Sequence, residues 1–247
     1  MVFMRTNIGF ILTAVLFLAL AEKFVFAQNK KNAGDRFVTY IIDIKKQELK
    51  LYWKNDANEN FKSIENLKLW VEKKNKKLLF AANAGMYKTD NSPLGLFIED
   101  KKIISPLNKA NATGNFYLKP NGVFYITDNN VPFICTTSKF FNNGKIKYAA
   151  QSGPMLVIDE KIHTAFTKGS ANVNIRNGVW ILPDNSIVFA MSKNEINFYD
   201  FAIYFKNMGC KNALYLDGFV SRTYLPEQNW IQTYGDFGVM IGATANK

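Results

Sequence analysis

The sequence predicts an α+β fold: a single domain of mostly antiparallel, partly mixed β-sheet with two principal helices. Three observations lead there. Short apolar runs bounded by Gly, Pro, Asn and Asp recur along most of the chain. Only two stretches carry a helical period. No internal repeat, low-complexity tract or Pro-rich linker divides the sequence.

The elements follow in order. "FVTYIIDI" (37–44) and "ELKLYW" (48–53) flank Lys45–Gln47 and read as a β-hairpin. Phe61, Ile64, Leu67 and Val71 recur at helical spacing beside Trp70, so 61–77 reads as an amphipathic helix with a Lys-rich outer face. "KLLFAANAG" (77–85) is a short buried strand running into glycine. The segments 94–105, 116–127, 155–164 and 178–192 each read as two strands around a turn, with Pro-Asn-Gly and Asp-Glu-Lys among the corners. Phe198, Phe201, Ala202, Phe205 and Met208 then form one helical stripe. Asn197 is placed to cap it, Asp200 suits its first turn and Gly209 its exit. "NALYLD", "RTYL" (222–225) and "FGVMIGA" (237–243) close the chain as strands.

Residues 1–27 read as a secretory signal peptide, with Arg5 in the n-region, "IGFILTAVLFLAL" (8–20) as the apolar core, and Val25 and Ala27 at the −3 and −1 positions. The apolar run is shorter than the roughly 20 residues that a spanning helix needs. The expected mature chain, 28–247, is therefore exported to the periplasm or secreted, with no membrane span after cleavage. The Lys, Asn and Phe usage suggests a bacterium. The 247 residues carry a formal charge of +11, which favours anionic partners. Export turns that preference from nucleic acid towards phosphorylated carbohydrates or cell-wall glycans, although scattered lysines also describe an ordinary solvated surface. The two cysteines, Cys135 and Cys210, fit one bridge or two buried thiols equally, and form neither a redox nor a zinc motif. Oligomeric state is not legible.

Polar residues and glycines concentrate at four strand ends. Asn83, Gly85 and Tyr87 follow Leu78–Ala82; Gln151, Ser152, Gly153 and Pro154 precede a strand; Arg176 and Asn177 precede Gly178; and Asp217, Gly218, Ser221 and Arg222 follow "NALYL". Each alone has a plain reading as a turn, and Asp-Gly between apolar runs is a strong hairpin signal. Together, an arginine and a carboxylate beside small residues suit an anionic sugar: one holds phosphate, the other acts at the sugar carbon.

"NAGMY", "QSGPML", "RNGVWIL" and "NALYLDGFVS", in this order, resemble the phosphodiester glycosidase family over 80–243. Ala84 replaces a Gly of the family's usual first motif, Asn-Gly-Gly-Phe/Tyr, and Met86 is inserted before Tyr87. Asn177 and Gly178 follow Arg176 in place of the family's usual Thr-Ala, and Phe219 replaces the second Gly of the Leu-Asp-Gly-Gly motif while Ser221 remains. The resemblance implies a hydrolase that cleaves the C1–O bond of a sugar-1-phosphodiester, releasing free sugar and a phosphomonoester. Phosphate is a good leaving group, so cations holding its charge can replace a general acid. On this reading Asp217 and Arg176 are the catalytic pair. Asn83, Gly85, Tyr87, Gln151, Ser152, Gly153, Gly218, Ser221 and Arg222 bind substrate, with Arg222 a second phosphate contact and the glycine N–H groups an anion nest.

His163, in a hairpin arm, and Glu195 and Asp200, beside a helix start, are weaker candidates. No cofactor is demanded. Asp217 and Asn83 could lend oxygens to a divalent metal, but no spacing requires one. A non-catalytic module for anionic glycans, or a phosphodiesterase cutting P–O, are the competing readings.

Overall fold

The computed structural model describes residues 36–247. The signal peptide read at 1–27 and the first residues of the expected mature chain lie outside them. The described strands are β1 (Phe37–Ile42), β2 (Glu48–Tyr52), β3 (Lys76–Asn83), β4 (Phe97–Glu99), β5 (Lys102–Ser105), β6 (Gly122–Thr127), β7 (Pro132–Thr136), β8 (Ile146–Ser152) and β9 (Met155–Ile158). They continue as β10 (Lys161–Ile162), β11 (Val173–Asn174), β12 (Asn177–Ile181), β13 (Ile187–Ser192), β14 (Ile196–Asn197), β15 (Ala213–Asp217), β16 (Thr223–Leu225), β17 (Trp230–Ile231) and β18 (Met240–Asn246). Two α-helices accompany them, α1 (Ile64–Lys73) and α2 (Phe198–Asn207).

Three sheets share one core. Their orders are β1-β13-β12-β15-β9-β10, β17-β16-β3-β18-β2 and β5-β4-β8-β6-β7, with a small β11-β14 pair beside them. Every pairing between these strands is antiparallel. Inward-facing Tyr40, Leu51, Phe80, Phe124, Val179, Phe189 and Leu214 meet between the sheets. Their burial is the main driving force for closing them. The helices cover outer faces. Ile64, Leu67 and Val71 of α1 pack on Leu78, Ala81 and Met240 of the second sheet. Phe205 of α2 meets the Trp180 ring at 4.9 Å on the first.

Local chemistry sets the element ends. The Ser63 hydroxyl accepts from the Asn66 N–H, so α1 starts at Ile64 rather than at Phe61, which packs against the helix from outside it. α2 begins and ends as its sequence predicts: Asn197 Oδ1 accepts from the Asp200 N–H at 2.8 Å, and Gly209 exits with φ 77°. The turns Asp100-Lys101 and Asp159-Glu160 both hold two residues at positive φ, as a two-residue hairpin turn requires.

Three expected hairpin readings differ from the structure. β1 pairs with β13 and β2 with β18, so Asp43–Gln47 carries the chain from one sheet to another. β15 and β16 also lie in different sheets, so Asp217-Gly218 is a crossing and not a hairpin corner. Only the second half of 116–127 is a strand; Asn115–Tyr117 is a turn of 3₁₀ helix. Alternation specifies which face of a strand is buried, not which strand lies beside it.

Cys135 and Cys210 are both free thiols. Among the described residues, no helix is long and apolar enough to cross a membrane.

Candidate active site

The ends of β3, β12 and β15 converge, and their last or first residues form one hydrogen-bonded cluster. Asp217 is buried at the end of β15. Its Oδ2 accepts from Asn83 Nδ2 at 3.0 Å and its Oδ1 from the Gly218 N–H at 2.7 Å. Asn177 ties the strands together. Its Oδ1 accepts from the Asp217 N–H at 2.7 Å, and its Nδ2 donates to both the backbone oxygen and Oδ1 of Asn83, at 2.9 and 3.1 Å. Asn83 Oδ1 also accepts from the Arg222 N–H at 3.0 Å. Ser221 Oγ donates to the Asp217 carbonyl at 3.0 Å, and Ser152 Oγ donates to the neighbouring Leu216 carbonyl at 2.7 Å.

No cation among the described residues pairs with the Asp217 carboxylate. Burial pushes its pKa up to about 6, against the smaller lowering pull of the Gly218 N–H and Asn83. A carboxyl group that titrates near neutrality and is fixed by two donors suits proton transfer better than structural ion pairing. Tyr87 lies within the electrostatic reach of Asp217 and Asp236, and burial together with those two charges pushes its hydroxyl up to about 12.

The two arginines occupy different environments. Arg176 is fully buried. Its Nε donates to the Ile196 carbonyl at 2.7 Å, Nη2 to the carbonyl and Oδ1 of Asn172 at 2.8 and 2.9 Å, and Nη1 to the Tyr215 hydroxyl at 3.2 Å. Its guanidinium carbon lies 3.6 Å from the centroid of the Phe198 ring. Burial lowers its pKa, partly offset by Tyr215. Arg222 is half-buried. Its Nη1 donates to the Ser221 carbonyl at 2.7 Å, the guanidinium sits 4.7 Å from the exposed Tyr234 ring, and Nε has no partner.

Tyr215 connects Arg176 to the carboxylate. A Cβ on Gly218 would lie 1.8 Å from its hydroxyl oxygen, so that hydroxyl sits directly under the peptide that donates to Asp217. Glycine is required there for space. Gly218→Ala is therefore expected to displace the 217–218 peptide and lower kcat/KM at least tenfold. Removing the hydroxyl in a Tyr215→Phe background should recover part of that loss, which a double-mutant cycle on kcat/KM will measure.

The other candidates fall on either side of this cluster. Gly85 is buried just past β3, near Val239 and the Gln151 carbonyl. Gly153 abuts Asn121, whose Cβ would stand 2.5 Å from an added Cβ. The Gln151 amide is turned away and committed to protein: Oε1 accepts from the Leu96 and Asn108 N–H groups, and Nε2 donates to the Asn108 carbonyl and Thr137. It fastens the 94–108 segment to β8. His163 is buried and stacked on Phe166, which stacks in turn on Phe198. Asp200, in the first turn of α2, accepts from the Nδ2 of the capping Asn197 at 2.9 Å, and Glu195 is exposed. Phe219, two residues past Asp217, is 89% exposed. Among the described residues, no three His, Cys, Asp or Glu side chains are grouped to hold a metal ion.

Sequence reasoning noted Asn177 only as a polar residue at a strand end, without a role in the site, and passed over Tyr215. The Asn-Gly pair at 177–178 mimics a turn, and Tyr215 hides in an apolar strand. The signal for Asn177 was its place opposite Asp217, which only the register of β12 on β15 reveals.

Known proteins resemble this chain in sequence and in fold. A family model described as phosphodiester glycosidase matches residues 76–238. A protein of Escherichia coli K12, described as uncharacterized protein YigE, is 33% identical over 214 residues, covering 85% of this chain and 84% of that one. Two solved structures share the fold at low identity. The catalytic domain of zebrafish N-acetylglucosamine-1-phosphodiester alpha-N-acetylglucosaminidase, auto-inhibited by its pro-peptide, superposes with a TM-score of 0.53 at 13% identity, covering 84% of this chain and 87% of that one. A hypothetical protein from Synechocystis does so with a TM-score of 0.54 at 12% identity, covering 85% of this chain and 59% of that one.

Proposed function

Because the chain belongs to the phosphodiester glycosidase family, we propose that it hydrolyses the C1–O bond of a sugar-1-phosphodiester, with Asp217 as the catalytic carboxylate. The observation that carries this reading is the Asp217 carboxylate itself: buried, free of any cation partner among the described residues, and fixed by Asn83 and the Gly218 N–H where three strands end. Ionised, it takes a proton from a water molecule as the water oxygen bonds to the anomeric carbon. The C1–O bond breaks, its electron pair stays with the phosphate oxygen, and the products are a free sugar and a phosphomonoester.

Arg222 is the half-buried cation beside this cluster, its Nη1 bonded to the Ser221 carbonyl, and in this reading the outer face of its guanidinium holds the phosphate as charge develops on the leaving oxygen. Arg176 acts from behind as a positioning residue, through Tyr215 and the 217–218 peptide. The exposed Phe219 lies two residues past Asp217, and in this reading its ring meets the apolar face of a sugar. The leader-like sequence of residues 1–27 supports action outside the cytoplasm, on exported or envelope-borne phosphoglycans.

The test is to incubate the purified protein with sugar-1-phosphodiesters in ¹⁸O-labelled water. Label in the released sugar supports the reading. Label in the phosphate would assign P–O cleavage, and binding without turnover across the panel would make the protein a glycan-binding module.

The pH profile tests the role of Asp217 separately. Its active form is the ionised one, so kcat/KM should rise with unit slope through about pH 6 and level off above it. A profile that falls through the same range would make Asp217 a proton donor.

A further inference from the structure

Beside the catalytic cluster lies a cavity of about 620 Å³ lined by Lys109, Lys119, Pro120, Asn121, Thr137 and Ser138. That volume is within the range of small-molecule sites, roughly 300–1,000 Å³. Its wall is linked to the cluster through two consecutive residues. Gly153 packs against Asn121 on the cavity wall, and the preceding residue, Ser152, donates to the carbonyl next to Asp217.

The lining contains no acid. Lys119 Nζ is held by two neutral acceptors, the Lys109 carbonyl at 3.1 Å and Asn111 Oδ1, which fix the ammonium without cancelling its charge. Lys109 and Lys119 have no carboxylate partner among the described residues; most lysines there share that, and what distinguishes these two is that both line this cavity. The Thr137 hydroxyl oxygen already accepts from Gln151 Nε2, leaving its proton to donate elsewhere. Two uncompensated cations and a hydroxyl donor facing a cavity select an anion.

We propose that this cavity is an aglycone subsite for a substrate that carries a further phosphate beyond the scissile one, held by Lys109 and Lys119. The proposal rests on the reading of the catalytic cluster given above for the identity of its substrate. It does not rest on it for its central claim, that the cavity binds a phosphate-rich anion.

Two measurements separate the inference from that reading. The first is binding of inorganic pyrophosphate to the full chain by calorimetry. The native protein should bind it with an affinity that falls at high salt. The Lys109→Ala/Lys119→Ala double variant should bind at least tenfold more weakly, and Lys119→Glu not measurably, with their thermal midpoints unchanged. Absent binding, or binding indifferent to these substitutions, overturns the subsite whatever the protein catalyses. The second compares kcat/KM for a nucleoside diphosphate sugar with that for the phosphomethyl ester of the same sugar. The native enzyme should prefer the diphosphate at least tenfold, and the double variant should bring the ratio close to one. A preference that survives the double substitution overturns the role of the lysines in substrate choice. If neither substrate is turned over, the hydrolase reading fails, and the pyrophosphate titration alone decides the subsite.

Discussion

Asp217→Asn is expected to lower kcat/KM by at least a thousandfold, about 4 kcal/mol of barrier, and at the same time to make the protein more stable. Both effects come from one feature. The folded protein holds the Asp217 proton more tightly than the unfolded chain does, because burial raises its pKa to about 6. Ionising it therefore costs stability. The cost is absent below about pH 4, grows as pH rises through about 6, and amounts to about 3 kcal/mol when complete. An amide at 217 carries no charge to desolvate, and its single oxygen can accept from one of Asn83 Nδ2 and the Gly218 N–H; the bond lost to the other, about 1 kcal/mol, offsets part of the gain. Thermal unfolding should show the variant above the parent at about pH 7.5 and no higher than it at about pH 4, where the charge no longer costs the parent anything and the lost hydrogen bond remains. A variant less stable than the parent at neutral pH would show that the carboxylate is held for structure. Full activity in the same variant would remove Asp217 from the chemistry. Conflict between stability and rate at one residue is expected where a site keeps a charge buried for use.

Arg176→Ala should produce the largest loss of stability among the site variants, about 3–5 kcal/mol. The substitution strips the Ile196 carbonyl, the Asn172 carbonyl and the Tyr215 hydroxyl of their donor and leaves a void against the Phe198 ring. Arg176→Lys should recover less than half of that loss. An ammonium keeps the charge but cannot direct donors in one plane to three separate acceptors. Activity, measured at a temperature where both variants remain folded, should fall mainly in kcat, because the defect reaches Asp217 through Tyr215 and the Gly218 peptide. An unchanged melting temperature with a raised KM would instead make Arg176 a direct phosphate contact. Arg222→Ala supplies the contrast: little change in stability, and a loss concentrated in binding of the phosphodiester.

The sequence makes the catalytic cluster partly legible, and the reasons are specific. Asn83 and Asp217 stand out because polar residues that end buried strands are costly unless they are satisfied or used. The cap at Asn197 and the exit at Gly209 are local chemistry, so they read correctly. What stays hidden is non-local. Arg176 precedes an Asn-Gly pair and reads as a turn residue or a phosphate clamp, yet the fold carries it fully into the interior, where its donors are spent on protein acceptors. Gln151 sits in a glycine-rich motif that suggests substrate, while its amide spends its hydrogen bonds on the 94–108 segment. Lys109 and Lys119 are two lysines among many in the sequence, and only the cavity between them sets them apart. The partners of β1 and β15 could not be read from alternation, and those two strands decide where the chain crosses between sheets.

Those crossings have a consequence for how activity can arise. The bonds that define the cluster join residues far apart along the chain: Asn83 to Asp217 spans 134 positions, and Asn177 to Asn83 spans 94. Contacts of that length form late, because the loops they close cost entropy that only the finished core offsets. No single sheet, hairpin or terminal half contains the acid, its amide partners and the arginines together. A nascent or proteolysed fragment that lacks β3 thus lacks Asn83, the amide that fixes the acid. Catalytic competence is acquired by the fold as a whole, in the same step that joins its sheets.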